Sequence, residues 1–260
     1  MLNESTIRVG SFVIILAIMG IAESIWPRRI LATGKVRRWL SNLSVAIIST
    51  SLVRLALPLA PTTFALYCNT QGWGLFNSLE LPQWLVFIVS ILLFDLIIYW
   101  QHVIFHKNQI LWRIHRMHHA DLDIDTSTGI RFHPIEIGLS MLIKLSAILA
   151  FGPSATAVLT FEILLNGCAL FNHANLRLPI GLDALLRLFV VTPDQHRVHH
   201  STDMREANMN FGFNFPWWDR MFGTYKAQPA SGHTDMKIGL NILRDPKFTK
   251  LSRMLTIPFI

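Results

Sequence analysis

The sequence predicts an all-α fold: a polytopic membrane bundle of about four to five spanning helices beneath a cytoplasmic, histidine-rich helical cap. Three observations predict it. Of the 260 residues, 52% are hydrophobic and 15% charged, with mean hydropathy +0.41. A soluble domain carries about 25% charged residues, so the deficit points to surface that faces lipid. Five apolar stretches are long enough to consider as spans. Finally, eight of the 11 histidines gather in three short clusters, two of them sharing one spacing.

The stretches are Ile7–Trp26, Leu43–Tyr67, Leu81–Trp100, Pro134–Phe151 and Pro153–Asn172. About 20 apolar residues cross a bilayer, a length the first three meet. The last two share a Gly152-Pro153 break and read as a helical hairpin. Arg54 and Lys144 fall inside spans, where a cation either snorkels to the surface or faces the protein interior. The first stretch has neither a basic region before it nor a small-residue cleavage site after it, so it reads as a retained helix. Arg28, Arg29, Lys35, Arg37 and Arg38 lie between the first two stretches, and Cys68–Glu80 contains no Lys or Arg. The positive-inside tendency puts the basic loop, and with it the chain beyond Trp100, in the cytoplasm. A bacterial inner membrane is the expected location. The chain reads as one integral membrane domain, 1–260, with a histidine-motif core at 81–225 and a cytoplasmic tail at 226–260.

The net charge of +7 does not indicate nucleic acid, because the basic residues flank apolar runs instead of forming a stripe on a polar chain. Cys68, read in a short polar loop, and Cys168, in an apolar run, are not expected to pair. No cysteines stand at zinc-site spacing. Leu182, Leu185, Leu186 and Phe189 share a helical face with Arg187 off it, which reads as an interfacial helix over 182–191. Thr192-Pro193-Asp194-Gln195 then supplies a hydroxyl cap and an N1 proline for the next helix.

The clusters are His102 and His106 in HVIFH, His115, His118 and His119 in HRMHH, and His196, His199 and His200 in HRVHH. Spacings of three and four residues stack imidazoles on one helix face, so one rigid element can offer several metal ligands. One HxxHH pattern arises by chance about 0.02 times in such a chain by template counting, which makes two copies a strong signal. Neutral imidazole suits Zn, Cu, Fe and Ni. Eight donors exceed what one ion takes, so two ions are implied. Asp121, Asp123 and Asp125 do not recur at ligand spacing, and the Glu-x-x-His pairs of carboxylate-bridged bundles are absent.

In that order after membrane spans, HVIFH, HRMHH and HRVHH resemble the fatty acid hydroxylase/sterol desaturase superfamily of membrane di-iron enzymes, as found in bacteria. RFHPIE at Arg131–Glu136, FNHANLRLP at Phe171–Pro179 and NFGFNFPWWDRMFGTY at Asn210–Tyr225 extend the resemblance over roughly Leu81 to Tyr225. It implies two iron ions held by the eight clustered histidines, with zinc able to replace iron in a purified sample. Some relatives have two histidines in the FNHAN region, whereas here His173 stands alone with Arg177 four residues on. His173, at the end of the fifth span, is read as a ligand in preference to a capping residue. His133, before Pro134, reads equally as a ligand or a helix cap. Asp95, Glu162 and Asn166 are expected to orient ligand imidazoles from behind. His233 reads as an ordinary polar residue. Phe211–Phe222 reads first as an interfacial aromatic belt and second as a lid over the site.

The resemblance implies an O2-dependent enzyme that hydroxylates, or desaturates, a lipid C–H bond. No HPGG, no cysteine set and no glycine-rich dinucleotide fingerprint is present, so electrons are expected from a separate reductase or small carrier. A metal transporter or store would line a path through the bilayer with ligands, and a zinc scaffold would need no oxygen. These are the alternatives to test.

Overall fold

The computed structural model describes residues 4–260, which form helices and turns; two isolated bridges are the only β pairing among them. The long helices are α1 (Glu4–Ile25), α2 (Lys35–Ala56), α3 (Pro61–Thr70), α4 (Gln83–Lys107), α5 (Gln109–His119), α6 (Pro134–Phe151) and α7 (Ala155–His173). Two shorter ones follow, α8 (Ile180–Leu186) and α9 (Pro193–His199). Five segments are long and apolar enough to cross a membrane: α1, the α2–α3 unit, α4, α6 and α7.

The stretch expected as one span at Leu43–Tyr67 is two helices. Pro58 disfavours helix at Leu57, which leaves α2 with φ −129° and ψ 80°, and Pro61 starts α3 in the first-turn position proline tolerates. Cys68, expected in a loop, is therefore buried inside α3; both cysteines are unpaired. The α6–α7 hairpin forms as expected. Gly152 closes α6 in the left-handed region at φ 63°, where glycine carries no Cβ penalty, and the Ser154 hydroxyl caps α7 from 3.1 Å.

Lys144 faces inward, 2.6 Å from Glu162 of α7, and Arg8 of α1 pairs with the same carboxylate. A charge at this depth is tolerable only when paired. Arg54 instead stays exposed. Below these pairs the core is apolar, with Phe94 of α4 stacked on Phe161 of α7 at 5.2 Å.

The histidine end is held by a buried polar network in the 120–131 loop. Arg38 of α2, 1% exposed, donates to both carboxylate oxygens of Asp121 (2.7 and 2.8 Å) and to Asp125 (2.6 Å). Asp123 accepts from Ala32 N and Thr33 N. Arg131 donates to Met117 O at 2.9 Å, and Glu23 of α1 accepts from Thr126 N and Asn175 N. The three aspartates that lack ligand spacing thus anchor the loop. Residues 226–260, expected as a tail, fold back over this end. Arg131 reaches Phe248 O, Arg116 reaches Ile257 O, and Met254 and Ile257 are buried with Val45 and Met117.

The expected helix over 182–191 is shorter, and its polarity is the reverse of a soluble helix. Leu182, Leu185, Leu188 and Phe189 are exposed, while Arg187 is buried and donates to Ala227 O at 2.7 Å. Removing Arg38 leaves two carboxylates buried without their cation. Arg38→Met is expected to destabilise the chain by about 3–5 kcal/mol in detergent unfolding, and adding Asp121→Asn to recover part of that loss. Equal stability of Arg38→Met and wild type would remove the network from its anchoring role.

Candidate metal centre

Each motif reaches the centre on its own support. HVIFH is the last two turns of α4, HRMHH ends α5, and HRVHH ends α9. The reversal from α4 to α5 is sharp because Asn108 caps the new helix, its side chain accepting from Ile110 N and Leu111 N. Thr192 caps α9 with Pro193 at N1, as the sequence predicts. His173 is the last residue of α7.

Nine buried histidines converge into two groups. One comprises His102, His106, His115, His119 and His199; the other comprises His118, His173, His196 and His200. Within each group the candidate donor atoms lie within 4.8 Å of one another. The grouping crosses the motifs. His115 and His119, four apart, serve the first group and His118 the second, while His196 and His200 serve the second and His199 the first. Neighbouring residues on a helix point about 100° apart, so each HxxHH feeds both groups. The groups are therefore adjacent: the His118 and His119 rings are 5.3 Å apart, and those of His199 and His200 5.5 Å.

The nitrogens fit metal ions. Nε2 of His118 lies 3.0 Å from Nε2 of His173, and the His173–His196 and His106–His119 pairs are each at 3.1 Å. Metal–nitrogen bonds of about 2.1 Å put neighbouring donors about 3 Å apart. Nε2 of His102, His115, His199 and His200 is buried with no hydrogen-bond partner. The opposite nitrogens are fixed: Nδ1 of His102, His199 and His173 donates to the carbonyls of Phe211 (2.8 Å), Met209 (2.8 Å) and Ala169 (2.7 Å). Nδ1 of His115 donates to Glu136 Oε1 at 2.6 Å. Such bonds set the tautomer and leave Nε2 as the lone-pair donor. Burial first, and then neighbouring imidazoles, push His118, His119, His196, His199 and His200 well below the usual histidine range. They stay neutral, as ligands must.

Aromatic side chains seal the centre. The Phe132 ring stacks on His118 at 4.4 Å, Phe211 packs on His106 at 5.2 Å, and Phe213 lies 5.6 Å from His102. Gly129 permits the close approach of the 126–130 turn to α7, since a Cβ there would stand 2.4 Å from Ala169 O.

Four expected residues have other positions. His133 is outside both groups: it caps α6 by accepting from Ile135 N, because Pro134 at N1 leaves the next amide for it. Glu162 binds Arg8 and Lys144, and Asn166 donates to Glu162 O at 2.8 Å, a pairing that keeps both away from the imidazoles. Asp95 works through backbone. It accepts from Asn214 N, Phe215 N and Trp218 Nε1, fixing the segment whose Phe211 carbonyl holds His102. The aromatic segment accordingly divides, with Phe211 on the histidines and Trp217 partly exposed. Sequence reasoning missed Glu136 and Asp219. Glu136 lies within RFHPIE, and its spacing from His115 carries no signal. Asp219 accepts from Phe211 N at 2.8 Å and Gly212 N at 2.9 Å. Burial raises its carboxyl to about 6, against the pull of those donors.

Glu136→Gln is expected to weaken metal retention about 10–100-fold, read as metal per chain after equilibrium dialysis. His133→Ala should keep full metal content while costing about 1 kcal/mol as a lost cap; a metal-depleted His133→Ala would return that residue to the ligand set. His233, buried between Gln228 and Asp194, is lowered to about 4, chiefly by burial. The unfolded chain takes up this proton near pH 6.5. Neutral His233 therefore stabilises the fold above that pH, and the contribution is lost as pH falls toward 4. Across that window, the unfolding midpoint of His233→Gln should fall less than that of wild type.

A family model described as fatty acid hydroxylase matches residues 87–224, more than half of the chain. The chain is 27% identical to ornithine lipid hydroxylase OlsE from Rhizobium tropici over 151 residues, 58% of this chain and 45% of the relative. It is 32% identical to alkylglycerol monooxygenase from Danio rerio over 160 residues, 59% of this chain and 34% of the relative. A very-long-chain aldehyde decarbonylase from Oryza sativa subsp. indica is 25% identical over 170 residues, 64% of this chain and 63% of the relative. These alignments span less than half the length of the first two relatives and under two thirds of the third. No solved structure matches the chain. With three histidine motifs in order inside the matched region, the chain belongs to the fatty acid hydroxylase family, in the superfamily that includes the sterol desaturases.

Proposed function

We propose that the chain is a membrane oxygenase that holds two iron ions in its two histidine groups and uses O2 and externally supplied electrons to hydroxylate a lipid C–H bond. The observation that carries the reading is the pair of adjacent, buried, all-imidazole groups at one end of an apolar bundle. The similarity to a lipid hydroxylase and an alkylglycerol monooxygenase supports it. Groups of five and four donors, short of the six an octahedral ion takes, leave places for other ligands. When bound, iron would supply the oxygen activation and hydrogen abstraction that no side chain performs alone. Desaturation shares that abstraction.

The chain's own residues position and insulate. Backbone carbonyls and Glu136 keep a proton on Nδ1 of His102, His115, His173 and His199, presenting Nε2 inward. Phe132, Phe211 and Phe213 form an apolar wall that would exclude water and admit a hydrocarbon chain. Arg28, Arg29, Lys35, Arg37 and Arg38 lie near the histidine end, whereas Cys68–Glu80, without Lys or Arg, packs against the α6–α7 turn at the other. That asymmetry supports a cytoplasmic histidine site in a bacterial inner membrane, where a reductase or small carrier would deliver electrons. Residues 81–225 would be the catalytic core of a single domain, with 226–260 bracing it.

Expression in a bacterial host should add a lipid species heavier by one oxygen, or lighter by two hydrogens, in mass spectra of lipid extracts. His118→Ala and His119→Ala should each abolish it. Anaerobic purification should yield about two irons per chain, matching the two groups. A chain that folds natively on zinc alone and leaves host lipids unchanged would defeat the reading.

A further inference from the structure

Beside the histidine end, a cleft of about 240 Å³ opens between the chain after α1, the chain after α7, and α8 and α9. Arg28, Arg177, Asp183, Asp194 and Gln228 line it, with Ile180 on its rim. Its backbone walls are rigid: Arg28 N donates to Asn175 O and Arg177 N to Trp26 O, both at 2.9 Å.

The lining carries two arginines, Arg28 and Arg177, and two aspartates, Asp183 and Asp194. Asp194 is saturated by the Arg28 Nε, at 3.1 Å from each oxygen, and by Arg197. Asp183 pairs with Arg187 at 2.7 Å. Because the buried Arg187 and Arg197 behind the lining already serve these aspartates, the positive charge of Arg177 is left over. The Arg177 guanidinium takes no partner among the described residues, and the terminal nitrogens of Arg28 and the amide nitrogen of Gln228 are likewise uncommitted. The unfilled capacity is therefore for an anion, with donors from the paired segments that carry Arg28 and Arg177 and from Gln228. The rim is of the other kind. Ile180 is 90% exposed, and Leu182, Leu185 and Ile30 beside the cleft are exposed as well. Apolar side chains this bare on a spanning bundle face lipid.

A charged pocket with a lipid-facing lip suits an amphiphile. We propose that this cleft holds the anionic group, carboxylate or phosphate, of a lipid headgroup, and thereby sets which part of the lipid reaches the histidine groups. The coupling is structural: Asp194 sits in the first turn of α9, and the same helix carries His196 and His199. The proposal deepens the lipid-oxygenase reading and rests on it for the identity of the bound lipid as substrate.

The test is binding, measured without turnover, on the purified full chain in detergent. Phosphatidylglycerol, diacylglycerol with the same acyl chains and inorganic phosphate are titrated separately. Phosphatidylglycerol should bind saturably and at least about tenfold more tightly than diacylglycerol, and Arg177→Glu should remove that advantage. Arg205→Glu, the same charge change at an exposed position outside the cleft lining, should leave it intact. Equal phosphatidylglycerol affinity in Arg177→Glu and wild type, or an equal loss in Arg205→Glu, would overturn the proposal. So would inorganic phosphate binding as tightly as the lipid, which would make the cleft a free-anion site. Failure here alongside oxygenated host lipids leaves the enzyme reading standing. Arg177-dependent binding without any lipid change removes the oxygenase and keeps the headgroup cleft.

Discussion

The structure depends on keeping nine imidazoles together in one buried space. Without a cation, nitrogens 3.0–3.1 Å apart repel or share protons poorly, and several have no hydrogen-bond partner at all. Burial of unsatisfied polar atoms is costly, so the arrangement persists only because the surrounding fold imposes it. The imposition comes from outside the groups: carbonyls and one carboxylate grip the Nδ1 atoms of His102, His115, His173 and His199, and the Arg38–aspartate network fixes the loop that follows HRMHH. A metal ion would turn the inward repulsion into attraction. The end of the bundle is thus preorganised for cations, and its remaining features follow from holding that geometry.

Much of this was legible in the sequence, for definite reasons. Apolar runs of spanning length and histidines at helical spacing report local periodicity, which single sequences carry well. The N-cap at Thr192 and the break at Gly152 likewise follow from local chemistry. What could not be read depends on which distant atoms meet. Glu162 has the burial expected of a residue that orients ligands, yet its partners are Arg8 and Lys144. Asp95 does support a clustered histidine, His102, but through the backbone of a segment 119 residues away. Glu136, which does touch a clustered imidazole, that of His115, lies 21 residues away from it. The break inside the Leu43–Tyr67 span follows from Pro58 and Pro61, which summed hydropathy does not register.

The crossed grouping was likewise invisible from spacing alone. A helical face predicts that His115, His118 and His119 lie near one another, and they do. The step of about 100° turns the middle member aside but does not show that a second group stands beside it. That follows only from how α5 and α9 approach each other, with His119 and His200 stacked at 4.6 Å. The polarity of α8 teaches a related lesson. The same apolar face that would be a core face in water is an outer face in lipid, and Arg187 is the buried residue.

The grip of Phe211 on His102 has a bearing on biosynthesis. The two residues are 109 positions apart, and the segment carrying Phe211 is itself pinned by Asp219. A nascent chain that has already inserted α4 still lacks the acceptor for His102 until 109 further residues have followed it. Maturation of the centre is therefore a late event, after insertion and not during it, and the early histidines must wait in a half-built vestibule open to whatever ion arrives first.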